Sequence, residues 1–417
     1  MRPRRSTSPG GLEAPTGAPG RLPGRGSDRA SARVLTPLPA LAVLAVLASL
    51  GSGGTPEGAR AQDLPAPADT TDAPLAVQLF PPAFSTYGLI WVPTGTASES
   101  RGLGGGLKTV LPFALEGDPD SPASELALEF LVTLKGQQRL ELTSDLVWDA
   151  GRNYVRLRLD YDGLARRFYG LGPVADRDDR EYYKPHQLLG YAEAARRLGS
   201  GVAVGPRFEV HRQVISDIDR GGVLDCGQVC TGFDVTEVGA GGIFRVDRRD
   251  VRYWPTRGIF LQGQLMAFSH ELGGAHDFTV FNADLRGYWS PAPRHVLAGQ
   301  LFYYGVNGQP PFWRLASLGG RHHSRAYVRD RWLDRVITAS QVEWRWRARQ
   351  RLGMTVFGGV AVVGEDVDSL RARHLRPSVG IGLRVYTERG PEAVPLRLDL
   401  AFGYQSVRAS VGIGEAF

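Results

Sequence analysis

The sequence predicts an all-β fold, a transmembrane antiparallel β-barrel of about sixteen strands. Three observations predict it. A secretory leader is followed by no segment apolar enough to cross a bilayer as a helix. Strands of membrane-spanning length alternate strictly between apolar and polar residues. The closing strand stops on an aromatic residue, Phe417.

The leader comes first. A basic, Pro- and Gly-rich stretch, residues 1–33, precedes the apolar run LPALAVLAVLASL at 38–50. Small residues follow and end on Ala59-Arg60-Ala61, which places a mature N-terminus at Gln62. About 13 apolar residues are too few for a spanning helix, which takes about 20. Export without a helical anchor leaves a soluble exported protein or a barrel. The expected organisation is a signal peptide over 1–61, a disordered linker over 62–82 and the barrel over 83–417.

Composition is compatible with either destination. Apolar residues make up 42% of the 417, a soluble-looking average that a barrel also gives, because only one face of each strand meets lipid. The formal charge of +6 would by itself suggest nucleic acid. Much of that excess lies in the arginine-rich leader, so no nucleic-acid partner is expected.

Strand length decides between the two. In 154–162, Val155, Leu157, Leu159 and Tyr161 share one face, with Arg156, Arg158 and Asp160 on the other. In 336–348, Val342, Trp344 and Trp346 oppose Gln341, Glu343, Arg345 and Arg347; in 396–402, Leu396, Leu398, Leu400 and Phe402 oppose Arg397 and Asp399. Soluble sandwich strands average about 5 to 6 residues, spanning strands about 9 to 11. Strands are expected near 84–92, 101–113, 123–135, 137–149, 153–163, 183–198, 201–215 and 234–246. Eight more follow near 258–271, 277–290, 295–305, 336–347, 352–363, 376–387, 395–404 and 408–417. Trp91, Trp148, Tyr169, Trp254, Tyr288, Trp289, Tyr303, Tyr304 and Trp332 near strand ends suit interfacial girdles. The last strand, ending on Phe417, resembles the C-terminal assembly signal of outer-membrane barrels.

Several local patterns then carry a family resemblance. DRRDVRYWPTRG (247–258) is an Asp-rich turn followed by Pro-x-x-Gly. SLGGRHHSRAYVRDRW (317–332) is a long loop with a Gly-Gly pair and an Arg-x-Tyr motif. ASQVEWR (339–345), the ending LRLDLAFGY through GIGEAF, and FYGLGP (168–173) complete the set. In this order they resemble the BamA/TamA superfamily of outer-membrane barrels, over roughly residues 80–417. The resemblance implies a long sixth extracellular loop folded into the lumen, with Gly319, Gly320, Arg325, Ala326 and Tyr327 as its motif. Arg325 would pair with an acid on the inner wall, for which Glu343 is the candidate, and Tyr327 would stack beside it. Two positions depart from the pattern. Ala326 replaces the motif glycine, and an aspartate expected on the following strand is replaced by glycine near Gly359. The periplasmic POTRA domains of the family's assembly factors find no room in 62–82.

Other constellations are weaker. Cys226 and Cys230, in a loop outside the cytosol, are expected to form a small disulfide. His322 and His323 stand in a basic loop, where solvated side chains are commoner than metal ligands, so no metal is expected. No Ser/His or Asp/His arrangement marks a catalytic site, so neither enzyme activity nor cofactors are expected. The resemblance implies translocation or insertion of polypeptide or lipid at the bacterial outer membrane. A passive solute pore is the alternative, with a barrel-embedded hydrolase behind it. Expected partners are outer-membrane lipid and lipopolysaccharide, the machinery that inserts barrels, and a separate periplasmic protein in place of the POTRA domains.

Overall fold

A computed structural model describes residues 90–98, 101–113, 121, 123–199, 201–219, 221–225, 234–251, 254–320, 323–386 and 395–417. The leader, the linker, Cys226, Cys230 and His322 lie outside the described residues.

The first half holds β1 (Ile90–Ser98), β2 (Gly102–Phe113), β3 (Ser124–Thr133), β4 (Gln138–Trp148) and β5 (Asn153–Asp162). A three-residue β6 (Arg166–Phe168) precedes the long β7 (Glu181–Leu198), β8 (Val202–Ser216) and β9 (Asp234–Asp247). Next come β10 (Gly258–Phe268), β11 (Phe278–Ala292) and β12 (His295–Gly308). A small hairpin, β13 (Ala316–Leu318) with β14 (Trp332–Asp334), sits inside the following loop. The chain closes with β15 (Val336–Trp346), β16 (Leu352–Gly364), β17 (Arg376–Tyr386), β18 (Pro395–Gly403) and β19 (Ser406–Ile413).

Setting aside β6, β13 and β14, sixteen long strands remain, and each pairs antiparallel with the next in sequence. This is the expected all-β antiparallel architecture. Among the described residues, no ladder joins β19 to β1, so the sheet keeps a seam there.

Alternation sorts the two faces. On β15, Val342, Trp344 and Trp346 are exposed on the outer wall, whereas Gln341, Glu343 and Arg345 are buried. Leu352, Met354, Val356 and Val360 on β16 and Val379, Ile381 and Leu383 on β17 continue the apolar exterior. An outside coated with large apolar residues and an inside rich in charge is the inverse of a soluble core, and it suits a wall between lipid and a polar lumen.

Boundaries moved where turn chemistry intervenes. The first strand runs to Ser98, six residues past its expected end, because Pro93 and Gly95 read as breakers. Proline is tolerated on an edge strand, where a missing donor costs no ladder bond. The closing strand stops at Ile413, because Gly414 takes a left-handed φ of 75° and turns the chain inward. The glycine-rich start of β2 does not loosen its pairing with β1, which runs through Ser98↔Gly102. A Cβ on Gly106 would lie 2.0 Å from the Phe130 carbonyl oxygen, so this glycine serves the close approach of β3.

The expected aromatic girdle divides. Trp91, Trp148 and Trp289 are exposed, but Tyr169, Tyr288 and Trp332 are buried. These three pack on lumen and loop elements, where apolar partners outweigh the interface.

Candidate functional site

Connections of unequal length distinguish the two rims. One rim carries the longest loops, 163–180, 217–233 and 309–335, with 269–277 and 365–375; the other has short turns at 149–152, 199–201, 293–294 and 347–351 and the ten-residue connection 248–257. The longest loop, 309–335, follows the eleventh long strand and turns into the lumen.

Its base is held on one wall. Phe312 packs edge-on against Phe168 and Tyr183, within a buried cluster that includes Ile215, Leu224 and Leu333. Arg314 pairs with Glu209 of β8 at 2.9 Å and approaches Glu237 of β9 at 3.7 Å, while the Trp313 indole donates to Glu237 at 3.0 Å.

Its tip reaches strands on another part of the wall. Arg325, 2% exposed, donates to Asp399 of β18 at 2.9 Å, to Glu343 of β15 and, at 3.4 Å, to Gln341. Its guanidinium lies 3.5 Å over the Phe357 ring. A planar fork suits this site, since it meets two carboxylates while stacking on an aromatic face. Tyr327 does not stack on Arg325. It donates to the Pro377 carbonyl at 2.6 Å, accepts from the Tyr404 amide at 2.8 Å, and meets Trp332 edge-on. Ala326 is fully buried, its carbonyl accepts from Ser406, and it is absent from the described left-handed residues. No positive φ is required where the motif glycine would stand. The conformational demand falls on Gly319 and Gly320, at φ 120° and 108°.

The acids behind Arg325 have partners of their own. Glu343 also holds Arg345 at 2.9 Å, and Asp399 holds Arg384 at 2.7 Å. Buried charges of this kind persist only when paired on several sides. Glu343 was the partner named from sequence; Asp399 was not. It lies on β18, two strands beyond Gly359, the position where the family pattern places an acid. Gly359 offers no carboxylate, and the Phe357 ring occupies the wall beneath the guanidinium instead.

FYGLGP also takes a place. Phe168 is buried beneath Phe312, and Gly170 and Gly172 turn with φ of 91° and 88°. The Gly172 amide then donates to the Leu333 carbonyl at 2.7 Å, and Arg331 donates to Ala175 at 3.0 Å. Loop 163–180 thus rests on the hairpin of loop 309–335. His323 stacks on Phe302 at 3.7 Å, and no metal-ligating cluster occurs among the described residues.

At the short-turn rim, Trp254 from the 248–257 turn meets Tyr386 edge-on at 5.6 Å, with Arg347 over both rings. Phe417 is buried against Tyr288 and Ala298. Its ring therefore packs inside. Gly414 redirects it.

An antiparallel barrel with a charged interior, crossed by one of its own loops, defines a plugged transmembrane β-barrel. Residues 228–417 match the model of the Omp85 superfamily domain. Two solved structures are similar to the chain across 78% of its length. One is BamA from Haemophilus ducreyi lacking POTRA domains 1-3, with 12% identity, a TM-score of 0.53 and 68% of that chain covered. The other is CdiB from Escherichia coli, with 10% identity, a TM-score of 0.50 and 61% covered. The chain thus spans about three-fifths of the CdiB structure. At these identities the likeness is one of fold. No curated protein matches the chain in sequence.

Proposed function

We infer that the protein is a gated translocation or insertion barrel of the bacterial outer membrane, moving polypeptide or lipid rather than passing small solutes. The observation that supports this reading best is loop 309–335, fastened at Arg314 and again at Arg325 through buried ion pairs. A passive pore has no use for a plug tied at this cost in desolvation. The seam between β19 and β1 offers a lateral route that a closed pore lacks. On this reading the long-loop rim faces outward, where lipopolysaccharide is the neighbour, and the short-turn rim faces the periplasm, where a separate partner delivers the client.

Planar-bilayer recording tests the reading. The wild-type barrel is expected to be closed most of the time, and a variant lacking 316–334 is expected to conduct steadily. Steady conductance by the wild type would favour the solute pore. A second test locks β1 to β19 with an engineered disulfide. Client transfer that survives the lock removes the seam from the mechanism.

A further inference from the structure

Six buried side chains close a ring of alternating charge. Arg325 pairs with Glu343, Glu343 with Arg345 at 2.9 Å, and Arg345 with Glu415 at 3.8 Å. Glu415 pairs with Arg384 at 2.8 Å, Arg384 with Asp399 at 2.7 Å, and Asp399 with Arg325 at 2.9 Å. No side chain in the ring is more than 6% exposed. Five belong to loop 309–335 or to strands β15, β17 and β18. Glu415 belongs to 414–417, the segment that leaves the seam strand β19 and bends inward at Gly414. That segment is also held by the Phe417 ring against Tyr288 and Ala298, and by a bond from Arg345 to the Phe417 main-chain oxygen at 2.8 Å.

We propose that residues 414–417 are a latch coupling seam strand β19 to the lumen loop, so that neither is released independently of the other. The charge balance gives the sign. Arg397 lies 3.5 Å from Asp399, so four guanidiniums face three carboxylates. Withdrawing Glu415 leaves four against two in a site with little water to screen them. Of the four cations, Arg325 is the one on a loop, and it is the one that can leave. By linkage the coupling is reciprocal: loss of Arg325 weakens the pull on Glu415 by the same factor. The first link to give is also visible. Arg345–Glu415 is the longest pair in the ring, and Glu415 Oε1 has no hydrogen-bond partner. This coupling holds for any client, so it can fail without the translocation reading failing, and the converse is equally true.

The test measures trypsin cleavage at the arginines of loop 309–335 in the full-length barrel, folded in detergent and checked by heat-modifiable gel migration. Glu415→Gln, which touches no loop residue, is expected to speed loop cleavage about tenfold. Combined with Arg325→Lys, its effect should fall well short of the product of the two single effects. Asp145→Asn, on the β4 wall, is the control and should leave the rate within about twofold. An unchanged rate in Glu415→Gln, or simple multiplication in the double variant, overturns the latch. If Glu415→Gln does not fold, Phe417→Ala keeps all six charges while loosening the segment. Faster loop cleavage then supports the latch, and an unchanged rate overturns it.

Discussion

Replacing Arg325 with alanine removes the plug's deepest attachment, and its size follows from the partners. The side chain contributes pairs to Glu343 and Asp399 and a guanidinium stacked 3.5 Å over Phe357. Breaking a buried pair costs about 3 to 5 kcal/mol when a charge is left uncompensated. Here both acids keep a second guanidinium, Arg345 at 2.9 Å and Arg384 at 2.7 Å, so the lower end, about 3 kcal/mol, applies. At about 1.4 kcal/mol per factor of ten, the closed arrangement loses about two orders of magnitude against the open one. Arg325→Lys keeps the charge but not the fork, and should lie about midway. Single-channel recording in planar bilayers reads the ratio directly as time spent open. An Arg325→Ala barrel that migrates as folded yet gains less than about fivefold in open time would falsify the anchoring role.

Three further outcomes follow from the same geometry. Gly319→Ala should destabilise the loop hairpin by about 1 to 3 kcal/mol, because φ is 120° and a Cβ would lie 1.9 Å from the Val328 carbonyl oxygen; loop proteolysis reports it, and a wild-type rate counts against the turn. Arg314→Ala should free the loop base from Glu209 and Glu237 while the Arg325 pairs persist, giving a smaller conductance than Arg325→Ala; equal conductances would merge the two attachments into one. In the 248–257 turn, burial raises the Asp250 pKa, but bonds from Thr256, Arg257 and Val251 outweigh it and hold the carboxyl below its ordinary value of 3.8. A depressed folded value means that this carboxylate's contribution is present above the unfolded pKa and disappears as pH falls through the folded one. Asp250→Asn should therefore match wild-type turn protection in hydrogen exchange at strongly acidic pH and fall below it near neutrality.

The architecture was legible because a barrel wall writes its period directly into sequence. Val342, Trp344 and Trp346 against Gln341, Glu343 and Arg345 needed no tertiary knowledge to assign, and every long strand has its counterpart among the expected sixteen. Less was legible where the chain leaves the wall. Glu343 could be named because it alternates inward beside the loop motif. Asp399 alternates inward equally well, yet nothing local marks it as a partner of Arg325. Partner choice between strands depends on barrel curvature and on which intervening side chains are small. The inward bend at Gly414 was hidden for a related reason: the alternation of Val411 and Ile413 continues smoothly up to the bend, and one glycine is a weak stop signal. Trp332 and Tyr288 were misplaced because an aromatic at a strand end has the same sequence signature whether it faces headgroups or a plug.

The position of Asp399 on β18 also explains the composition of β17. An acid on β16 would reach Arg325 from the adjacent wall; one on β18 must reach across β17. Two glycines clear that path. A Cβ on Gly380 would lie 2.3 Å from the tip of the Phe357 ring, and one on Gly382 would lie 2.3 Å from Asp399 Oδ1 and 2.5 Å from Arg384 Nη1. With those positions empty, Phe357 from β16 and Asp399 from β18 converge beneath one guanidinium, and Arg384 of β17 neutralises the side of Asp399 that Arg325 leaves open. Arg384 then faces a second carboxylate, Glu415, which brings 414–417 into the lumen. The Asp399 anchor is thus supported by a set of residues on three strands and a tail. A barrel that needed only a rigid plug would be served by one neighbouring acid. Routing the anchor through β17 and β18 to the seam strand places the plug under the control of the part of the sheet that lacks a closing ladder.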